Sequence, residues 1–589
     1  MKLLKWTGLV LFAIGFGLFN YFFFASHYRL THEIIHARLD KPRAELFEAH
    51  AGVWLGQSVS SQFDFVSHLE SIVAQANRHV EGEFGIQPAE LQILLTSSTP
   101  AFSITRVESL WSGSTPSDEF KRQAFRDYGN WLDGQPVTPD QLTRVADNIR
   151  QFAVIPRFGF DRYATKDLLY TLTRASATGL VPEHPLLLLV LSVGLAVVGA
   201  LMFILPKLSA HPGIQNNGVF SHALKNRGWL GIVLGSWLIL FYVVLYFYPE
   251  YMTGWVILVD PVSKWLSGHE AGRFFLYGFI YTLCILVMGV RFIIHYRHSS
   301  YHLWRTASVM FFQTAFAFLI PEILVRLNQP YFDFKNIWPL DYSFFFDYRL
   351  DQLMANGTLG IFMLGWGIAL ILVAVPVLVY FFGKRWYCSW VCGCGGLAET
   401  LGDPFRQLSS KKLSAWQIER WMIHAVLVFA VVMTGCVLYT YFTGKSHILF
   451  FSSYQVREWY GAFIGAGFAG VVGTGFYPLM GNRVWCRFGC PLAAYLGLVQ
   501  RFKSRFRITT NGGQCISCGN CSTYCEMGID VRWYAQRGQN IVRSSCVGCG
   551  ICSSVCPRGV LNLEVRDEAN RFGEPVLLGN KGVMQEGGA

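Results

Sequence analysis

The sequence predicts an all-α polytopic membrane protein of about eight spans, with a helical external domain and a small α+β ferredoxin-like module towards its C-terminal end. Three observations lead there. The 589 residues are 52% hydrophobic and only 15% charged, too apolar for an ordinary soluble chain of that length. Apolar runs of about 20 residues, the length that crosses a bilayer, recur along it. Two near-copies of one cysteine spacing, "CISCGNCSTYCEMG" and "CVGCGICSSVCPRG", lie near the end.

The apolar runs fall near 4–25, 185–206, 228–248, 273–294, 303–327, 358–382, 421–442 and 459–481. Pro321, Glu322 and Arg326 interrupt the end of the fifth, where Glu322 and Arg326, four apart, could pair on one helix face. The loops near 206–228, 291–305 and 383–420 carry three, three and six Lys and Arg, against one, two and two in the alternating loops. By the positive-inside rule the basic loops are cytoplasmic. Both termini are then cytoplasmic, and residues 26–184 face the other side. The first run follows "MKLLKW" as a signal peptide would, but "FFFASHYRL" offers no small-x-small cleavage site, so it reads as a retained anchor in a bacterial inner membrane. The expected plan is a signal-anchor span (1–25), a periplasmic, mainly helical domain (26–184), a membrane domain of seven spans with two C-x3-C motifs (185–500), a cytoplasmic two-cluster ferredoxin-like domain (501–565) and a tail (566–589).

In the external segment, "TPDQLTRVADNIRQF" combines a capping-box pattern at Thr138 and Gln141 with apolar residues at helical spacing. Nothing there has catalytic spacing, and partner docking, ligand sensing and bracing of the membrane part all remain open. The net charge of +11 lies in short clusters beside apolar runs, which favours membrane orientation over nucleic-acid binding. The expected partners are membrane lipids and redox proteins.

Fourteen of the fifteen cysteines follow residue 387, in tight spacings that favour metal ligation over long cross-links. Cys515, Cys518, Cys521 and Cys525 read C-x2-C-x2-C-x3-C, and Cys546, Cys549, Cys552 and Cys556 repeat it, with Pro557 following. Four thiolates at such spacers satisfy a [4Fe-4S] cluster, and the fourth cysteine of each run commonly serves the other cluster. One cluster would therefore use Cys515, Cys518, Cys521 and Cys556, and the other Cys546, Cys549, Cys552 and Cys525. A zinc knuckle has little need of the duplication or of the x3-Cys-Pro ending.

Earlier in the chain, "KRWYCSWVCGCGG" supplies Cys388 and Cys392, and "NRVWCRFGCPL" supplies Cys486 and Cys490, offset by 98 residues in both cases. This internal repeat of span, basic residue, aromatic and C-x3-C would bring two thiol pairs to one membrane surface. Four such thiols could bind a further iron–sulfur centre or another metal, act as redox-active dithiols, or be reduced structural cysteines. Cys394 is either a spare ligand or a small loop residue.

On these motifs the chain, over roughly residues 356–563, resembles the NosR/NapH group of membrane iron–sulfur proteins. The resemblance implies electron transfer across or along the membrane in support of a respiratory reductase or its maturation, with the four span cysteines and the eight terminal ones as site residues. Two features depart from it. Gly393 stands where the family pattern has Pro, a place Pro491 keeps in the second motif. Some members also join FMN covalently through an S-G-A-T-like motif; the nearest string here is "SGSTPS", Ser112 to Ser117, and covalent FMN on Thr115 is not expected because a turn accounts for it.

Other signals carry less. "GAGFAG", Gly465 to Gly470, lies inside a span, where Gly461 and Gly465 more simply permit close packing. His295, His298, His302 and His424 read as interfacial packing rather than haem ligands. Glu322 is a candidate for a quinone-linked proton site unless Arg326 neutralises it. The aromatic and acidic stretch Tyr331 to Leu350 reads as an interfacial belt or a docking surface. The expectation is an electron-transfer component rather than a self-contained enzyme, passing electrons between a cytoplasmic donor or quinol pool and an external respiratory partner. It needs no catalytic acid, base or nucleophile. The alternative is an iron–sulfur redox sensor or maturation factor for a metalloenzyme. With all cofactor motifs on the cytoplasmic side, a quinone, a haem, a flavin or a partner subunit would have to bridge to the external face.

Overall fold

The computed structural model describes residues 2–97, 110–113, 115–212, 229–445, 447–448 and 451–565; the expected tail at 566–589 lies outside them. The chain divides into two compact units, one of Met1–Phe16, Ser192–Phe247 and Asp260–Ala589, the other of Gly17–Leu191 and Tyr248–Val259.

The second of these units is helical around two apolar cores. Helix Gln62–Phe84 is started by the Ser61 hydroxyl, which accepts from the Asp64 N–H, and its buried residues recur at helical spacing. Phe65, Leu69, Ile72 and Val73 enter one core with Ile35, Phe47 and Leu172, while Val80 enters the other with Phe125, Leu142, Val145 and Ile149. Burying each such aliphatic side chain contributes about 1.5–3 kcal/mol. The capping box read at Thr138 and Gln141 is present and opens helix Pro139–Ile149. Three very short antiparallel strands, Ser58–Val59, His27–Arg29 and Ala177–Thr178, form a sheet with the middle one central.

Among the described residues, six helices are long and apolar enough to cross a membrane: Lys2–Tyr21, Pro185–Ser209, Arg273–His295, Ser300–Arg326, Gly357–Phe382 and Leu413–Thr443. A seventh is added if the bent pair Gly231–Phe247 and Pro249–Leu258 counts as one span. The last apolar run of the sequence, 459–481, is helical from Tyr460 through Gly475, turns at Phe476 and resumes as Tyr477–Met480, where Pro478 stands in the first turn, a position proline tolerates. The other unit's first two spans pack through small residues, a Cβ at Gly8 falling 2.7 Å from the Gly199 carbonyl and one at Gly15 falling 2.5 Å from the Ser192 carbonyl. Beyond helix Pro491–Lys503, strands Phe506–Thr510 and Leu561–Val565 pair antiparallel with Ile508 opposite Leu563, flanking the two cysteine-rich loops.

Candidate metal centres

The two terminal cysteine runs fold alike. Ser517, Gly519 and Gly528 have φ of 58°, 79° and 69°, and their counterparts 31 residues on, Gly548, Gly550 and Gly559, have 62°, 83° and 61°. In each copy a left-handed residue precedes a one-turn helix, Asn520–Thr523 or Ile551–Ser554, that carries the third cysteine. Glycine serves such positions without a Cβ penalty. Cys515, Cys518, Cys521 and Cys556 line one cavity, so the four residues of the first crossed set come together. In the second set, Cys546 and Cys552 are buried in one core, with Cys525 and Cys549 packed against it. Burial pushes the Cys521 and Cys546 thiols up to about 11.

The membrane pairs also meet. Cys388, Cys392, Cys486 and Cys490 line one small cavity together with Cys394, and all four are buried. Their backbones repeat: the Cys392 N–H donates to the Tyr387 carbonyl at 2.8 Å and the Cys490 N–H to the Trp485 carbonyl at 2.9 Å. Cys392 and Cys490 then cap helices Gly393–Thr400 and Pro491–Lys503. The departure at Gly393 has a local reason, because a Cβ there would fall 2.6 Å from Oε1 of Gln313. Burial pushes Cys388 up to about 12. A hydrogen bond with the Cys394 thiol, outweighing burial, brings Cys392 down to about 6.

These donor sets suit iron–sulfur ligation on chemical grounds. They are all sulfur, the donor such clusters take, and ligation would release the protons that burial holds on most of these thiols. Cations stand by to balance the resulting charge: Arg483 donates to the Cys486 sulfur at 3.6 Å and to the Cys388 carbonyl at 3.4 Å.

Sequence reasoning missed the ion-pair network in which Arg483 takes part. Glu399 is held by Arg305 at 2.9 Å, Arg406 at 2.9 Å and Arg483 at 2.7 Å. Glu526 takes Arg406 and, at 3.0 Å, Arg483, while Asp403 takes Arg406 at 3.2 Å and Arg291 at 3.3 Å. Every one of these side chains is buried. Burial opposes ionisation of Glu399 and Asp403, but the surrounding guanidiniums outweigh it and hold both carboxyls below their usual range. Arg305 also donates to the Cys549 carbonyl. The network thus touches the membrane thiol pairs at one end and the second terminal loop at the other. Its one sequence signal was a break in the repeat, Glu526 standing after Cys525 where Pro557 follows Cys556.

The stretch Tyr331 to Leu350 packs in part against the thiol pairs. Ile337 is buried in the same core as Cys388, Cys392, Cys486 and Cys490, Leu340 lines their cavity, and the Trp338 indole donates to Oγ1 of Thr434 at 3.0 Å. The segment links helices Ser300–Arg326 and Gly357–Phe382, so it turns back into the membrane domain. Tyr495, five residues after Cys490, donates its hydroxyl to the Ile371 carbonyl at 3.1 Å, about midway along helix Gly357–Phe382. A cavity of about 180 Å³ adjoins them, lined by Tyr246, Tyr277, Tyr281, Tyr342, Tyr460 and Tyr477 together with Cys394 and Cys486.

The remaining sequence signals resolve as follows. "GAGFAG" is helical, and Gly465 admits the Tyr342 hydroxyl, 2.9 Å from where its Cβ would be. Arg326 donates to the Trp265 carbonyl, and no ion pair joins it to Glu322 among the described residues. His302 is buried and bonded to Ser299 at 2.8 Å and Ser554 at 3.2 Å, and His295 lies 3.8 Å from Asp403. Thr115 caps helix Pro116–Gly129, its hydroxyl accepting from the Asp118 N–H; Ser114 lies outside the described residues.

Residues 365–414 and 461–509 match a family described as "4Fe-4S binding domain", and residues 514–561 match one described as "4Fe-4S dicluster domain". A protein of Escherichia coli (strain K12) named "Putative electron transport protein YccM" is 25% identical over 171 residues, covering 28% of this chain and 47% of that protein. The chain thus spans about half the length of the curated relative it matches. No solved structure matches it. The chain carries 4Fe-4S ferredoxin-type domains together with several apolar helices long enough to cross a membrane.

Proposed function

We propose that the protein is a membrane-bound iron–sulfur electron-transfer component of NosR/NapH type. It passes electrons between a cytoplasmic donor or quinol pool and an external respiratory partner. The observation that carries this reading is the continuity of the sulfur sites. Cys388, Cys392, Cys486, Cys490, Cys521, Cys546 and Cys552 belong to one buried core, with Cys515, Cys525, Cys549 and Cys556 packed against it. The similarity to 4Fe-4S domains and to an electron transport protein supports it.

In this reading Cys515, Cys518, Cys521 and Cys556 hold one [4Fe-4S] cluster, Cys546, Cys549, Cys552 and Cys525 a second, and the C-x3-C pairs a third centre. Such clusters, when bound, store and release single electrons at potentials set by hydrogen bonding and solvent exposure. The protein's part is to fix their spacing and surroundings. The core excludes water from the membrane pairs, Arg483 donates to the Cys486 sulfur, and Arg305 fixes the backbone at Cys549. The tyrosine-lined cavity offers phenol donors beside Cys486 and is where the head group of a quinone would fit.

The test is iron and acid-labile sulfide content with low-temperature EPR on the anaerobically purified protein, compared with a variant carrying Ala at Cys388, Cys392, Cys486 and Cys490. Loss of iron with a changed spectrum is the expected result. An unchanged spectrum and iron content would remove the third centre and turn the reading towards a redox sensor or maturation factor.

A further inference from the structure

A second, larger cavity of about 570 Å³ borders the membrane thiol pairs, and the reading above makes no use of it. Four cations line it: Lys384, Arg420, Arg501 and Arg543. Its one carboxylate, Glu419, is already engaged, accepting from Nε of Arg487 at 2.6 Å and from the Ser545 hydroxyl at 2.6 Å. None of the four lining cations has an acidic partner within ion-pair distance among the described residues. Lys384, four residues before Cys388, is only 1% exposed. Two of the guanidiniums are held by a shared indole. Arg420 lies 5.9 Å and Arg543 5.5 Å from the Trp416 ring, which keeps both forks in place at little entropic cost.

The position of the cavity says what kind of anion it meets. Helix Leu413–Thr443 has 31 residues, whereas a bilayer crossing takes about 20, so its first turns overhang the hydrocarbon. Those turns carry Trp416, Arg420 and Trp421, a mix found at head-group depth. Trp421 is 75% exposed, and Val428 and Val432 further along the helix are exposed too, forming an apolar track that leaves the cationic end. Basic pockets at this level between helices take anionic lipid head groups, whereas a neutral quinone ring has no use for four cations.

We propose that this cavity binds the phosphate of an anionic phospholipid, with Arg420 and Arg543 as the fork and Lys384 behind them, and the acyl chains along the exposed face of helix Leu413–Thr443. Cys486 lines the same cavity, so the bound lipid closes that side of the thiol pairs to water.

The experiment uses the full-length protein in detergent, titrated with dioleoyl-phosphatidylglycerol or dioleoyl-phosphatidylcholine and read by native mass spectrometry. Phosphatidylglycerol is retained at least about tenfold more tightly, and raising the salt weakens that preference because Arg420 is exposed. Arg420→Gln/Arg543→Gln removes the preference, while Arg144→Gln/Arg150→Gln, which deletes the same charge elsewhere, keeps it. Iron content, equal in all three proteins, reports that they are folded. Equal retention of both lipids by the parent protein overturns the proposal, as does a preference unchanged in the Arg420→Gln/Arg543→Gln protein. Displacement of the lipid by millimolar inorganic phosphate makes the site one for free phosphate and likewise overturns it.

Discussion

The two terminal cysteine loops share one backbone and differ in nearly everything around it. The loop from Cys515 to Gly528 is outward-facing at its start, where Cys518 is exposed, Gln536 bonds to Ser517 at 2.7 Å and Ser522 to Asp530 at 2.6 Å, and enters the buried network through Glu526 near its end. The loop from Cys546 to Gly559 is bound into the membrane domain. Ser389 donates to the Val547 carbonyl at 2.8 Å, Tyr301 to the Gly548 carbonyl at 2.7 Å, Gln500 to the Cys546 carbonyl at 3.0 Å, and Arg305 to the Cys549 carbonyl. The difference teaches that a duplicated ligand motif does not make two equivalent sites. One copy exposes a thiol at Cys518 and meets the buried arginines through a side chain, Glu526, whereas the other is held along its backbone carbonyls by Ser389, Tyr301, Gln500 and Arg305.

The most severe way to break this contrast is to remove Glu399. Glu399→Ala leaves Arg305 without its carboxylate and Arg406 and Arg483 with Glu526 alone between them, and breaking a buried network of this kind costs about 3–5 kcal/mol. The expected outcome is a large fall in the thermal midpoint of the purified protein, with release of the second loop from protection in hydrogen exchange. The same network sets a pH dependence. Glu399 and Asp403 are held below their ordinary values of 4.5 and 3.8, so their stabilisation is fully present above those values and is lost as pH falls through the lowered ones, while Glu526, held above 4.5 by burial, offsets part of that loss as it takes up its proton. Thermal unfolding from pH 7 down to pH 3 should show stability declining below pH 4.5, and less so in Glu399→Gln.

Glycine substitutions sharpen the comparison at smaller scale. A Cβ at Gly550 would lie 2.7 Å from the Tyr301 ring, whereas at Gly519 its nearest neighbour is the Arg532 guanidinium at 3.9 Å. Both positions are left-handed, so Gly519→Ala is expected to cost about 1–2 kcal/mol and Gly550→Ala about 1–3 kcal/mol more for the clash, measured by denaturant unfolding of the whole protein. The smallest effect is at Ser517, whose φ of 58° a glycine would adopt freely. Ser517→Gly should be neutral or stabilising by up to about 1 kcal/mol. Its counterpart Gly548 cannot carry a side chain, since a Cβ would lie 2.6 Å from that of Arg385, and Gly548→Ser should lower iron content as well as stability.

Local signals were legible in the sequence because their causes are local. The capping box at Thr138, the crossed cysteine spacing and most of the apolar runs are short-range patterns, and the structure contains the box, the cavity shared by Cys515, Cys518, Cys521 and Cys556, and six of the long apolar helices. What was not legible depends on which distant residues meet. No window of sequence joins Arg305 to Glu399, or Arg483 to Glu526. Nor does aromatic content alone tell how much of a belt turns inward: Tyr331 to Leu350 has a belt's composition, and only its packing shows that Ile337 and Leu340 meet the thiol core.

That packing has an electrical consequence. Ile337 and Leu340 pack against the thiol core and Tyr495 ties it to the middle of helix Gly357–Phe382, so that, if the pairs act within the bilayer as the proposed function has them, the low-dielectric layer is crossed in two stretches. Under the proposed function, an electron resting on the membrane thiol pairs has already traversed part of the transmembrane voltage. A full crossing is worth about 2.3 kcal/mol per 100 mV, so half of it amounts to about 1.2 kcal/mol, roughly a sevenfold change in the equilibrium between that position and the loop that exposes Cys518. Redox balance inside the protein would then follow the energisation of the membrane, making the protein a voltage divider as well as a conductor.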